Sequence, residues 1–385
     1  MLAQTSLQAT SPRVHRMAVS AIFFLQGLCF ASWASRIPTI QQRMGFSDAG
    51  LGLVLLALPV GLMLSLPLSG WLVARQGSRR VALVGALLYA VTLLTLGLAA
   101  TPAQLVGCLV FFGLAANMLN IAINTQAVGV EALYKRSIMA SFHGLWSLAG
   151  FVGAAVGTAM IGYNIDPLTH FALITGLIVA GVLVAGRHVL PTDANGQVAD
   201  QPIFVWPDKS LLLLGLIAFC SMICEGAMFD WSGVYFRKVV LAEKAWVGAG
   251  YTAFMSTMAA GRFVADRFTS RFGRARTLQL SGLLTASGLL LAVLLPQLGP
   301  ALGGFLLVGF GVSSVVPLVY GAAGRSTAMS PGVALAAVST VGFLGFLIGP
   351  PLIGLVAGAT SLRISFSIIA VMGLSITLLA GRTNL

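Results

Sequence analysis

The chain has 385 residues, of which 58% are hydrophobic and 8% charged, and its mean hydropathy is +0.96. So little charge cannot cover a water-facing surface, which excludes a soluble globular protein. The net charge is +12, but the cations sit in short breaks between apolar runs; this points to membrane topology and anionic lipid headgroups, not to nucleic acid.

The first dozen residues are polar and lack a signal-peptide pattern, so the first apolar run is expected to be a retained span. A spanning helix needs about 20 apolar residues. The apolar runs predict spans over 16–36, 48–74, 80–99, 103–129, 138–162, 168–187, 209–237, 246–267, 275–296, 300–324, 331–359 and 362–381. The long polar interruption near 188–208 divides the series in half. The expected architecture is an all-α membrane protein of about twelve transmembrane helices in two pseudo-symmetric six-helix bundles. They cover 1–190 and 209–385, with a cytoplasmic linker over 191–208. Cys29, Cys108, Cys220 and Cys224 all fall inside apolar runs and read as small buried side chains.

With the amino terminus inside, sixteen lysines and arginines fall on the cytoplasmic side, Arg262 among them, and six on the outer side, Arg36 among them. That bias predicts both termini in the cytoplasm. The halves also repeat. Gln26-Gly27 matches Glu225-Gly226, 199 positions on, and each pair is followed by a tryptophan, Trp33 or Trp231. A basic turn from Gly70 to Arg80 matches one from Gly261 to Arg276, and the glycines of span 5 match those of span 11. Parallel six-helix repeats place a solute route between the halves.

The stretch Gly70-Trp-Leu-Val-Ala-Arg75-Gln-Gly77-Ser-Arg79-Arg80 resembles the signature loop of the major facilitator superfamily between spans 2 and 3. Gly261-Arg262-Phe-Val-Ala-Asp266-Arg267 resembles its second copy, between spans 8 and 9. Ser32 to Pro38 and Glu225 to Trp231 are similar to runs in bacterial permeases of the fucose-permease-like, YbjJ-type group. The resemblance implies a secondary transporter of the bacterial inner membrane that works by alternating access, without a cofactor and as a monomer. One departure is Ala74, where the family carries Asp. The resemblance therefore implies a lopsided cytoplasmic latch, weaker between spans 2 and 11, with Asp266 facing the start of span 5.

An ionisable group deep in a span is costly and marks a cavity or a relay. Glu225, mid-span, is the leading candidate proton carrier; the other readings are direct contact with solute and a structural carboxyl, protonated and hydrogen-bonded to a neighbouring helix or paired with an arginine. Asp230, further out, is a candidate second proton site or an ion-pair partner for Arg36. His143 is a candidate relay. Asn117, Asn120 and Asn124 share an arc of about 60° on span 4 and are expected to line a polar cavity, with inter-helix bonding as the alternative. Gln26, Trp33, Trp146, Trp231 and Tyr320 complete the expected solute-binding set, although Trp33 reads equally as an interfacial anchor. Arg36, Gly70, Arg75, Gly77, Arg79, Arg80, Gly261, Asp266 and Arg267 are the expected gate and signature-loop residues.

The chain has no P-loop, no HExxH and no metal-ligand cluster in its sequence, so no enzyme is expected. The expected partners are a small polar solute, protons and membrane lipids. The alternatives are a proton-coupled efflux antiporter and a non-transporting sensor.

Overall fold

Hydrocarbon offers backbone amides no partners, so an apolar run in a membrane closes its hydrogen bonds within a helix. The structure is a computed structural model that describes residues 11–134, 138–193, 209–325 and 331–383, and it carries no strand among them. The first half contains α1 (Pro12–Met44), α2 (Asp48–Leu55), α3 (Ala57–Gln76), α4 (Ser78–Leu98), α5 (Pro102–Tyr134), α6 (Met139–Gly162) and α7 (Pro167–Ala185). The second half contains α8 (Lys209–Lys238), α9 (Ala249–Phe272), α10 (Arg274–Leu294), α11 (Leu298–Val312), α12 (Val315–Ala323), α13 (Pro331–Ala359) and α14 (Leu362–Ala380). The expected linker lies outside the described residues from 194 onward.

Two expected spans are broken helices. The break between α2 and α3 falls at Leu56 and that between α11 and α12 at Ser313 and Ser314. Pro59 and Pro317 explain both. Each lacks the amide that would bond the carbonyl four residues earlier, at Leu55 or Ser313. With each broken pair taken as one segment, eleven helical segments among the described residues are long and apolar enough to cross a membrane. The expected eighth span, α9, falls outside that set because Arg262 and Asp266 lower the hydropathy of its apolar stretch.

Burial separates lining helices from lipid-facing ones. The most apolar windows of α1 and α8 are 72% and 78% buried, against 33% for α7. Glycine seats α1 on α6: a Cβ on Gly27 would lie 2.4 Å from the Trp146 carbonyl oxygen, and one on Gly153 would lie 2.7 Å from the Ala31 Cβ. The second half repeats this, since a Cβ on Gly345 would lie 2.6 Å from the Phe219 carbonyl oxygen and so α13 seats α8. Gly77 and Gly273, 196 positions apart, share positive φ angles of 80° and 78° and open α4 and α10. The repeat is thus one of backbone geometry as well as of sequence.

The halves close against each other at the end of the bundle remote from the chain termini. A Cβ on Gly354 would lie 2.5 Å from the Asp48 carbonyl oxygen, and Lys238 Nζ pairs with Asp48 Oδ1 at 2.5 Å. Arg237 donates to the Pro38 carbonyl and to Gln41 Oε1. Between α6 and α9 contact continues inward, from Thr158 and Thr252 (Oγ1 to Oγ1, 3.1 Å) through Gly150 and Met255 to Gly144 and Phe263. The glycine contacts of α13 with the second span lie at Asp48, Ala49 and Gly52, all at the closed end.

Candidate functional site

α8 carries Glu225 to the middle of the seam. Its side chain is buried, and Ser221, one helical turn earlier, donates to Oε1 at 3.4 Å. Arg262 of α9 is the cation whose field reaches it. Arg262 Nη1 also donates to Ser147 Oγ of α6 at 2.5 Å, and the guanidinium sits 5.9 Å from the centre of the Trp146 ring. One arginine therefore addresses a carboxyl in its own half and a hydroxyl and an indole in the other. The basic-residue pattern had placed Arg262 in a cytoplasmic segment. Within α9, hydrogen bonding to Ser147 and stacking on Trp146 hold it in the seam.

Phe229, one turn beyond Glu225, is the centre of a cage that the sequence did not mark. Its ring lies 5.2 Å from Phe30 on α1, 6.5 Å from Trp146 on α6, 5.6 Å from Phe254 on α9 and 6.3 Å from Phe346 on α13. Edge-to-face and offset aromatic pairs of this spacing are favourable. The cage draws on four helices besides its own, two of them in the facing half. A phenylalanine in an apolar run carries no local mark of such a position.

The polar wall comes from α1 and α5. Gln26 Nε2 donates to the Ala116 carbonyl at 3.4 Å, while Gln26 Oε1 and Asn117 Nδ2 are buried and unpartnered. A buried polar atom without a partner costs about 1–3 kcal/mol, so these two are the unsatisfied positions of the wall. The asparagine stripe divides. Asn124 Nδ2 bonds the Asn120 carbonyl at 2.8 Å and Asn120 Oδ1 at 3.1 Å, so this pair satisfies part of its own demand within the helix.

Asp230 is half-buried, with Tyr251 within its electrostatic reach. The expected pairing of Asp230 with Arg36 does not occur. Arg36 turns into its own half, is 1% exposed, and donates from Nε to His170 Nδ1 at 3.1 Å. Its counter-charge is Asp166 at the start of α7. Asp166 lies outside the spans, and hydrogen bonds from the Thr169 hydroxyl and amide hold its carboxyl below the usual value. His143 is exposed, edge-on to Phe23 at 5.4 Å, and within reach of Arg262's charge. Tyr320 on α12 shares the field of Glu225. Trp33 and Trp231 are fully buried, so neither is an interfacial anchor.

In the signature loops, Gly70 is exposed, Arg75 stacks on Trp71 at 5.1 Å, and Arg79 donates to the Gly186 carbonyl at 3.3 Å. Arg80 and Arg267 are exposed. Gly261 is buried against Ser313 and Phe310. The side chain of Asp266, expected to face span 5, lies outside the described residues. The first turn of α6 is capped by Glu131, whose Oε2 accepts from the amides of Ile138 at 2.7 Å and Met139 at 2.9 Å. Asp193 caps α4 by accepting from the Ser78 amide at 2.9 Å, and Gln126 Nε2 braces Ser78 Oγ at 2.7 Å. A carboxylate at each helix start meets free amides and the positive end of the dipole.

Comparison with known proteins gives a consistent placement. A sequence profile of the Major Facilitator Superfamily matches residues 19–250 and 240–383. An uncharacterized MFS-type transporter of Yersinia pestis is 36% identical over 96% of both chains. The membrane protein MosC of Rhizobium meliloti is 32% identical over 92% of this chain and 86% of its own. A solved bacterial homolog of the human lysosomal transporter Spinster, inward-facing and occupied, aligns with TM-score 0.74 at 15% identity over 97% of this chain and 98% of its own. With about twelve membrane helices in two repeated halves and these matches along its length, the chain belongs to the Major Facilitator Superfamily.

Proposed function

We propose that the protein is a proton-coupled secondary transporter of a small polar organic solute, sugar-like or a related metabolite, in the bacterial inner membrane. The basic end with both termini faces the cytoplasm, and by its two signature runs the chain sits in the fucose-permease-like group. The units are 1–190 and 209–385, joined by a linker over 191–208, and they rock about the seam so that access alternates. The observation that carries the reading is Glu225, a buried carboxyl whose polar company is Ser221 and Arg262, one turn from the aromatic cage.

Arg262 divides its attention between Glu225 and the Ser147–Trp146 pair. Protonation of Glu225 releases the arginine to the facing half; deprotonation draws it back. Proton exchange is thereby tied to the packing of α6 on α9. Solute is held by Gln26 and Asn117, with Asn120, Asn124, Trp146 and Tyr320 around it and aromatic faces below. Asp230 and His143 serve the proton route at the two ends of the seam. An efflux antiporter for cationic drugs fits less well, because Arg262 at the cage repels a cation.

The test is Glu225→Gln in proteoliposomes under an imposed pH gradient. The variant is expected to bind solute and exchange it across the membrane but to lose uphill accumulation. Undiminished accumulation would falsify the role.

A further inference from the structure

On the flank of the first half, at the end where the chain begins, α1 forms the floor of an open cleft of about 800 Å³. The cleft is separate from the seam. Its mouth carries Arg13, Arg16 and Tyr134, and its walls run inward along α1 through Met17, Ala21 and Phe24 to Leu145 of α6 and Gly181 of α7. Arg16 is held ready: Nη2 donates to Ser141 Oγ at 3.3 Å and the guanidinium lies 5.4 Å from the Tyr134 ring centre. Arg13 is exposed, and Met17 just inside is 71% exposed, so an apolar surface opens directly below two cations.

We infer that this cleft binds one anionic phospholipid, with its phosphate on Arg13 and Arg16 and one acyl chain laid along α1. Two features choose this occupant. The first is charge: arginine forks match phosphate oxygens, and basic pockets between spanning helices receive anionic headgroups. The second is length. From Arg13 to Leu25 the helix rises about 18 Å at 1.5 Å per residue, close to one leaflet of a hydrocarbon core roughly 30 Å thick. A free phosphate would use the mouth and leave the apolar walls empty.

A bound lipid would brace α1 against α6 and α7 at one end of the helix that also carries Gln26. Lipid composition would then tune the first half without touching the solute site.

The test is native mass spectrometry and thermal unfolding of the purified full chain in detergent. The probes are phosphatidylglycerol, phosphatidylcholine of the same acyl chains, and inorganic phosphate. Phosphatidylglycerol is expected to bind at a saturable stoichiometry of one and to raise the unfolding temperature, while the other two leave it unchanged. The double variant Arg13→Ala/Arg16→Ala is expected to weaken phosphatidylglycerol binding by roughly tenfold or more. Ala21→Trp, which fills the chain seat from an exposed position and keeps both arginines, is expected to weaken it as well. Equal binding of phosphatidylcholine, a matching shift from inorganic phosphate, or full binding by Ala21→Trp would each overturn the assignment. The wild-type comparison of the three probes decides the matter even if the arginine variant does not fold.

Discussion

Arg262 shows why a charge inside an apolar run has to be read by its surroundings. Its guanidinium is stabilised from both sides of the seam, by Ser147 and Trp146 on one and by the field of Glu225 on the other. Lysine keeps the charge but loses the planar fork and the stacked face. Arg262→Lys is therefore expected to retain membrane insertion and to slow proton-driven uptake, measured as initial rates against pH gradient. Alanine at this site leaves the Glu225 carboxyl without its cation and is expected to abolish coupled uptake. A rate equal to wild type in both variants would remove Arg262 from the coupling path. Phe229 invites a second test. Truncation of a buried aromatic costs about 3–5 kcal/mol, and the cage bridges both halves. Phe229→Leu preserves most of the volume and removes the ring contacts. It is expected to weaken solute binding in a titration while sparing the fold in thermal unfolding; an unchanged affinity would show the cage to be packing alone.

At the scale of helices, glycine decides which elements can touch. α6 and α13 each carry a glycine face that admits the backbone of α1 or α8, with the Cβ positions of Gly153 and Gly345 already inside contact distance of the neighbour. Forcing extra carbon into such a seat costs about 1–3 kcal/mol. Gly345→Val is expected to lower the unfolding temperature, because its nearest neighbours are backbone atoms of Phe219 and Ile223 that cannot rotate away. Gly70→Val, where a Cβ meets nothing within 4 Å, is the control expected to unfold like wild type. The repeat of this pairing was legible in the glycine spacing. The capping carboxylates were not: Glu131 and Asp193 reach helix starts across loops of unpredicted course, so a sequence position gave no sign of which amide each would meet.

For the molecule as a whole, closure at one end is the observable state. Ala49 and Gly358 face each other there, and a Cβ on Gly358 would lie 3.0 Å from the Ala49 Cβ. That is shorter than the Cβ separation of a disulfide, about 3.8 Å, so the two helices need to part by less than about 1 Å for the sulfurs to bond. An Ala49→Cys/Gly358→Cys protein is expected to cross-link under mild oxidation, to lose transport when cross-linked and to regain it on reduction. Transport that continues through the cross-linked form would show that the halves do not separate at this end.

Composition and apolar spacing determined that this chain is a helical membrane protein of about twelve spans in two repeated halves. The physical reason is that hydrocarbon leaves the backbone one economical solution in each run. The same reading found Glu225, since a carboxyl in mid-span is visible in one dimension. What only the tertiary structure decided is which polar groups share a site. Arg36 went to His170 within its own half, Arg262 reached Ser147 of the facing half, and Asn120 and Asn124 bonded each other. Each of those outcomes depends on which faces two helices turn toward one another. Glycine seats and proline breaks at specific depths set that rotation, and no local periodicity encodes it.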